Sequence, residues 1–146
     1  MTNKWVDWLN INDKCNYQGP AVYKVRLADT NGNACKLGRL LTTDDEGIMC
    51  IGHASNMKQR KAQFLTAIRK AYGHSEMNLV YYLEKYTGFK KKFKEVQFQY
   101  CFCKCSDVAK SKSQEEQLIK AYFKKFGEVP PLNSAIPHRY DGWPIK

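Results

Sequence analysis

The sequence predicts an α+β fold: a small central antiparallel sheet of about three strands, flanked by helices. Three observations predict it. The segment "EVQFQYCFCKC" (95–105) alternates with period two, the pattern of a strand. Two stretches, 56–72 and 107–126, carry apolar residues at three- and four-residue spacing, the pattern of amphipathic helices. The elements also fall in the order strand, strand, helix, helix, strand, helix, which suits a small sheet with helices packed on it. A chain of 146 residues is long enough for one domain with an ordinary core.

In chain order, residues 1–18 read as an N-terminal extension with a short helix presenting Trp5 and Trp8. The domain proper spans 19–134. "PAVYKVRLAD" (20–29) is the first strand, with Tyr23 on its apolar side. "DTNGN" (29–33) is a turn whose Asn-Gly favours a hairpin connection. "ACKLGRLLTTDDEG" (34–47) is an irregular excursion, and "IMCIG" (48–52) is the second strand. The first helix runs from Asn56, its cap, to Tyr72, burying Met57, Phe64, Leu65, Ile68 and Tyr72, and "YGHS" closes it. "EMNLVYYLEKYTG" (76–88) is a shorter helix, and "FKKKFK" (89–94) is a basic surface segment interleaved with aromatics. The last helix starts at 107 or near Ser113, buries Leu118, Ile119, Tyr122 and Phe126, and ends at Gly127. "VPPLN" then fixes an extended exit, and 135–146 form a C-terminal tail.

Charge is the informative bulk property. Twenty-four Lys and Arg against 14 Asp and Glu give +10, with a pI near 9.3. A basic domain of this size points to nucleic acid, or less often to an anionic membrane surface. No apolar run approaches the ~20 residues that cross a bilayer. "MTNKWVDWLN" lacks the continuous apolar stretch of a signal peptide, so the expected compartment is the cytoplasm. Of the six cysteines, Cys101, Cys103 and Cys105 alternate. On a strand such neighbours lie roughly 7 Å apart, too far to bridge without distortion. The reading is reduced, buried cysteines, with a zinc site as the minor alternative.

Four residues from separate segments carry the chemical argument. "CIGHASNMKQR" (50–60) delivers a helix whose first turns hold Lys58, Arg60 and Lys61, at the end the macrodipole already makes positive. Arg60 lies on the Phe64 side, where an arginine needs an anionic partner; Lys58 and Lys61 point elsewhere. Glu115 continues the buried stripe of the last helix backwards, and a carboxylate there needs a hydrogen bond, a cation or a metal. Its neighbour Glu116 has a structural explanation: "SQEE" matches a capping box with Ser113 as N-cap. Asn133 either makes a turn or ties the end of the chain to the active face. Tyr23 taken alone is an ordinary core or edge tyrosine.

Together, Tyr23, Arg60 and Glu115 on a basic domain suggest metal-assisted phosphodiester chemistry. One hard cation, Mg²⁺ or Mn²⁺, would sit on Glu115, with waters and phosphate oxygens completing its shell. Arg60 would grip the scissile phosphate and offset transition-state charge. Tyr23 would position or deprotonate the attacking water. Its ordinary pKa near 10 then calls for a nearby cation. A phosphodiester lying against the helix would answer the crowding of Lys58, Arg60 and Lys61.

These residues resemble the GIY-YIG nucleases. "AVY" (21–23) stands where the family's first motif lies, and "CIG" (50–52) where its second lies. Arg60 follows Gly52 by eight residues, the family's spacing for its arginine. "EEQLIKAYFKKFGEVPPLN" (115–133) is similar to the family's metal-binding helix and closing Asn, which makes Glu115 the metal ligand. The resemblance covers roughly 19–134. Departures are Ala21 for the first motif's Gly, Cys50 for the second motif's Tyr, Phe64 where a His often stands, and an insertion over 29–47. Cys cannot imitate a phenol of that reach; His53 could compensate as a proton acceptor, or be an exposed turn histidine. The insertion-bearing, stand-alone restriction-enzyme branch is the most similar.

The resemblance implies a divalent-metal DNA endonuclease leaving 5′-phosphate and 3′-hydroxyl ends. It would cut double-stranded DNA at specific sequences, with a homodimer as one way to cut both strands. Candidate DNA contacts are Lys36 and Arg39 in the insertion, Lys58 and Lys61 on the helix, and Lys90, Lys91 and Lys92 in "GFKKKFK". The rivals are a catalytically weak nucleic-acid-binding relative, favoured by Cys50, and a structure-specific repair or mobile-element nuclease.

Overall fold

A computed structural model describes residues 4–72, 75–134 and 136. Of the expected features, Gly73 and His74 in the helix closure and the tail over 135–146, Ile136 apart, lie outside the described residues. The strands are β1 (Leu9–Asn10), β2 (Ala21–Asp29), β3 (Leu37–Gly38), β4 (Thr43–Asp44), β5 (Ile48–Ala54) and β6 (Val96–Lys104). The helices are α1 (Met57–Lys70), α2 (Ser75–Tyr86), α3 (Phe89–Lys92) and α4 (Val108–Phe126). The class is α+β, as the patterning predicts.

The main sheet is antiparallel with four strands, ordered β1-β6-β2-β5. This corrects the expectation of about three. The extra strand comes from the N-terminal segment, which pairs along β6 instead of forming a helix. Val6 N–H donates to Phe102 O at 3.0 Å, and Ile11 N–H to Phe98 O at 3.0 Å. The two tryptophans explain the docking: Trp5 lies under Lys24 Nζ at 4.6 Å and Trp8 under the Arg26 guanidinium at 4.3 Å. Each ring covers a cation on β2 that would otherwise leave the sheet face open. A second, two-stranded sheet, β3-β4, organises the excursion that the sequence leaves irregular. The Asn31-Gly32 turn forms as expected, with Gly32 at φ +86° and its N–H donating to Asp29 O at 3.0 Å.

Alternation along β2 separates the two sides. Ala21, Tyr23, Val25 and Leu27 join Met57, Phe64, Ala67, Met77 and Val80 in the core beneath α1 and α2. On the other side, Ile48 and Ile51 pack with Ile119, Tyr122 and Phe126 of α4. Helices therefore cover both faces. All six cysteines are free thiols, and all but Cys35 are buried. No helix among the described residues is long and apolar enough to cross a membrane.

Two helix ends bear on the site. Asn56 caps α1, its Oδ1 accepting from Gln59 N–H at 3.1 Å. The helix ends at Lys70, so Tyr72 is 73% exposed and not buried as its spacing suggests. Asp107, not Ser113, caps α4, its Oδ1 accepting from Lys110 N–H at 2.7 Å. This overturns the capping-box reading of Glu116, which lies mid-helix and pairs with Lys120 at 3.1 Å. Asp107→Ala is expected to cost about 1 kcal/mol of stability. Ser113→Ala should stay within about 0.5 kcal/mol of wild type, and urea denaturation of the two variants compares them directly.

Candidate active site

β5 is the open edge of the sheet; α4 packs against it, and Tyr23 of the neighbouring β2 faces it from the side of α1. Tyr23 faces Gly52 across the β2–β5 ladder. A Cβ at position 52 would overlap Tyr23 Oη and Cζ, so the phenol lies flat over the glycine and reaches toward the edge strand. Phe64 of α1 braces the ring from the side, with centroids 5.0 Å apart and planes at 61°. Arg60 stands one turn earlier on the same helix, half-buried. Its Nε is buried and has no hydrogen-bond partner among the described residues.

The carboxylate arrives from the opposite side. Tyr122 Oη donates to Asp44 Oδ2 at 2.8 Å, and Asp44 also accepts the N–H groups of Glu46 and Ile48 at 2.9 and 3.0 Å. These bonds fasten α4 to the chain entering β5. Two turns before Tyr122, Glu115 is buried, as its place on the stripe predicts. His53 of β5 directs Nδ1 at Glu115 Oε2, 2.9 Å away. The side chains of His53 and Glu115 are 25% and 10% exposed.

Electrostatics tie the two halves together. Burial pushes the Tyr23 phenol well above its ordinary value; Cys50, Glu76 and Glu115 add to the rise and Arg60 opposes it. Burial likewise raises the Cys50 thiol, with Glu76 and Glu115 reinforcing and Arg60 opposing. Tyr23, Cys50, Arg60, Glu76 and Glu115 are thus close enough to feel one another's charge. That direction favours the neutral phenol, which can donate a hydrogen bond. Burial outweighs the lowering that Arg60 supplies, so deprotonation of water by Tyr23 would call for a further cation such as the metal.

Asn133 both closes a turn, its N–H donating to Pro130 O at 3.0 Å, and ties the end of the chain to β5. Its Oδ1 accepts from Ile51 N–H and its Nδ2 donates to Ile51 O, both at 2.9 Å. Leu132 N–H adds a bond to Met49 O at 2.9 Å. The exit segment therefore stands in for a further strand and braces the open edge next to Gly52.

The expected cationic contacts divide. Lys36, Lys58, Lys90, Lys91 and Lys92 are exposed, and Lys92 pairs loosely with Glu95 at 3.8 Å. Arg39 is held in the fold instead, donating to Val129 O at 2.6 Å and lying 3.5 Å from Glu128. Lys61 is buried, and burial lowers its pKa against the opposing pull of Asp13 and Cys15. It faces the N-terminal segment and not solvent. The start of α1 is also closed to an anion through its backbone. Met57, Lys58 and Gln59 N–H groups already bond Gly19 O, Tyr17 O and Asn56 Oδ1. Of the cations at the helix start, Lys58 is exposed, Lys61 is buried and Arg60 is half-buried.

Glu76, in the first turn of α2, is a member of this neighbourhood that the sequence does not single out. An acidic residue at a helix start has an ordinary dipole explanation, and nothing in its spacing points back to β2. Among the described residues no three His, Cys, Asp or Glu side chains converge as a metal cage. A hard cation that keeps its waters and takes phosphate oxygens needs only one or two protein donors, and the donor chemistry of Glu115 fits that case. Comparison with protein-family models, with curated proteins and with solved structures gives no match to this chain.

Proposed function

We propose that this chain is a metal-dependent endonuclease that hydrolyses phosphodiester bonds in double-stranded DNA, built like a GIY-YIG nuclease. One observation carries the reading. Arg60 has a buried Nε with no partner among the described residues, in the same electrostatic neighbourhood as Tyr23 and Glu115. Among the described residues Arg39 Nε is likewise buried without a partner, but its guanidinium already bonds Val129 O and lies beside Glu128. Arg60 has no such anchor among the described residues and is the one poised for an anion from outside.

In this reading Arg60 binds the scissile phosphate and offsets the charge that builds on it. Tyr23, held flat over Gly52 and protonated, donates a hydrogen bond that orients the attacking water or a phosphate oxygen. Glu115 would hold the divalent cation, Mg²⁺ or Mn²⁺, which supplies positive charge at the phosphodiester. His53 Nδ1 lies beside the Glu115 carboxylate, 2.9 Å from Oε2. Lys58, Lys36 and Lys90 to Lys92 contribute sequence-independent attraction to the DNA backbone. Sequence-specific cutting of the restriction type is the preferred subclass, with two copies acting on the two strands.

Cys50 favours a second reading, a nucleic-acid binder that has lost its chemistry. The thiol is buried opposite Val25 and burial raises its pKa, so it contributes neither a phenol nor a thiolate to the site. Incubation of supercoiled plasmid with the protein separates the two. With Mg²⁺ or Mn²⁺ the nuclease reading expects nicked and linear products that disappear on adding EDTA, and discrete bands would point to restriction. Tight binding without cutting in either metal would reject it in favour of the binder.

A further inference from the structure

We propose that His53 is a ligand of the catalytic cation beside Glu115, so that this site takes a first-row transition-metal dication, Mn²⁺ and more strongly Co²⁺, in preference to Mg²⁺. The inference rests on the reading that Glu115 holds the cation, and adds a nitrogen donor to it.

Three features of the pair support the assignment. His53 Nδ1 and Glu115 Oε2 are 2.9 Å apart. Donors about 2.0–2.2 Å from one metal and at right angles to each other lie roughly 3 Å apart. The pair therefore already has the spacing of neighbouring corners of an octahedron. The spacing is also built into the fold. His53 is held in the β2–β5 ladder opposite Val22, while α4 is fastened through Tyr122 to Asp44. Two donors on separate, anchored elements lose little freedom when a cation replaces the hydrogen bond between them. Finally, the pair is reachable, since a quarter of the His53 side chain meets solvent.

The donor set decides the class of metal. Mg²⁺ prefers oxygen ligands and keeps most of its waters. An imidazole nitrogen shifts preference toward Mn²⁺, Co²⁺ and the later metals of the series. Waters and phosphate oxygens of the substrate would complete the shell. As a ligand, His53 does not serve as the proton acceptor that its place after Gly52 suggests.

Affinity alone does not test this. A histidine that merely orients Glu115 from outside the shell would also change metal binding by about 10–100-fold on removal. The deciding readout is pulsed EPR of the full chain loaded with Mn²⁺, where a directly bound imidazole gives a nitrogen modulation. The expected result is a nitrogen signal in the wild type that is absent from His53→Asn, with Mn²⁺ binding weakened about tenfold or more and Mg²⁺ binding changed much less. Mn²⁺ bound in a Glu115-dependent way without nitrogen modulation in the wild type overturns the ligand role and leaves Glu115 as metal holder. Mn²⁺ binding that ignores Glu115→Gln, or no binding, overturns both. Each variant is read after circular dichroism shows it folded, and a nitrogen signal that persists in folded His53→Asn overturns the ligand role.

Discussion

Arg60→Ala and Glu115→Gln are each expected to slow plasmid cleavage about 10²–10³-fold, measured as single-turnover rates at saturating DNA. For Arg60 the effect should fall on chemistry more than on folding. Its Nε has no partner among the described residues, so truncation does not strip the fold of a bond to that atom. The change in unfolding free energy should be below about 1 kcal/mol, in the range of substitutions away from core contacts. Arg60→Lys should recover only part of the rate, because an ammonium restores the charge without the planar fork that pairs with phosphate. For Glu115 the glutamine keeps the shape and removes the charge that attracts the cation. The pattern that sinks the assignment is equal cutting by wild type and both variants. A loss of cutting that tracks a loss of folded protein would instead make Arg60 structural.

How far the sequence discloses this site depends on the kind of signal. Local periodicity locates Tyr23, Arg60 and Glu115, because a strand or helix fixes the direction of a side chain within a few residues. Glu115 is legible for a thermodynamic reason: a carboxylate on an apolar stripe demands a partner. The identity of that partner is not legible, since His53 lies 62 positions away and meets it only once β5 and α4 are assembled. Glu76 is hidden for the same reason. The misread cap has a local cause. Ser113 and Asp107 both offer a side-chain oxygen at a plausible start, and only the extra turn of helix from Val108 decides between them. Lys61 and Arg39 show the limit of reading charge as surface. One is covered by the N-terminal segment, and the other is tied to the chain after α4. The sheet gains its fourth strand because a Trp-bearing segment binds an exposed edge, an event with no period for a sequence to display.

Cys50 stands where the GIY-YIG pattern that the sequence resembles has a Tyr, and local packing bears on that difference. The β2–β5 register slips between Val25 and Arg26, where Val25 pairs with Cys50 and Arg26 with Ile48, leaving Met49 as the extra residue. Met49 and Cys50 both enter the core beneath α1. A tyrosine at 50 would have to fit a position that is 1% exposed opposite a fully buried valine. Overpacking of this kind costs roughly 1–3 kcal/mol. Cys50→Tyr therefore tests packing and chemistry at once, and its activity is interpretable only beside its stability.

Gly52→Ala should destabilise the protein by roughly 1–3 kcal/mol, and should slow cleavage beyond what the lost stability explains. The argument is steric. The added methyl would occupy the space of Tyr23 Oη and Cζ, with Cε2 3.0 Å away. The ring cannot swing toward α1, because Phe64 is fully buried against it. Tyr23 must then rise from the edge strand, which moves its hydroxyl away from Gly52 and from the position the proposed mechanism gives it. In a chain of this size each kcal/mol corresponds to about 2–4 °C in melting temperature. Gly38→Ala is the internal control: a Cβ there meets nothing within 4 Å, so its stability should change little. A Gly52→Ala protein that melts and cuts like wild type would show that the ring does not need its seat on the glycine. A variant that melts lower but cuts normally would separate the two roles, leaving Tyr23 as a core residue and removing it from the site.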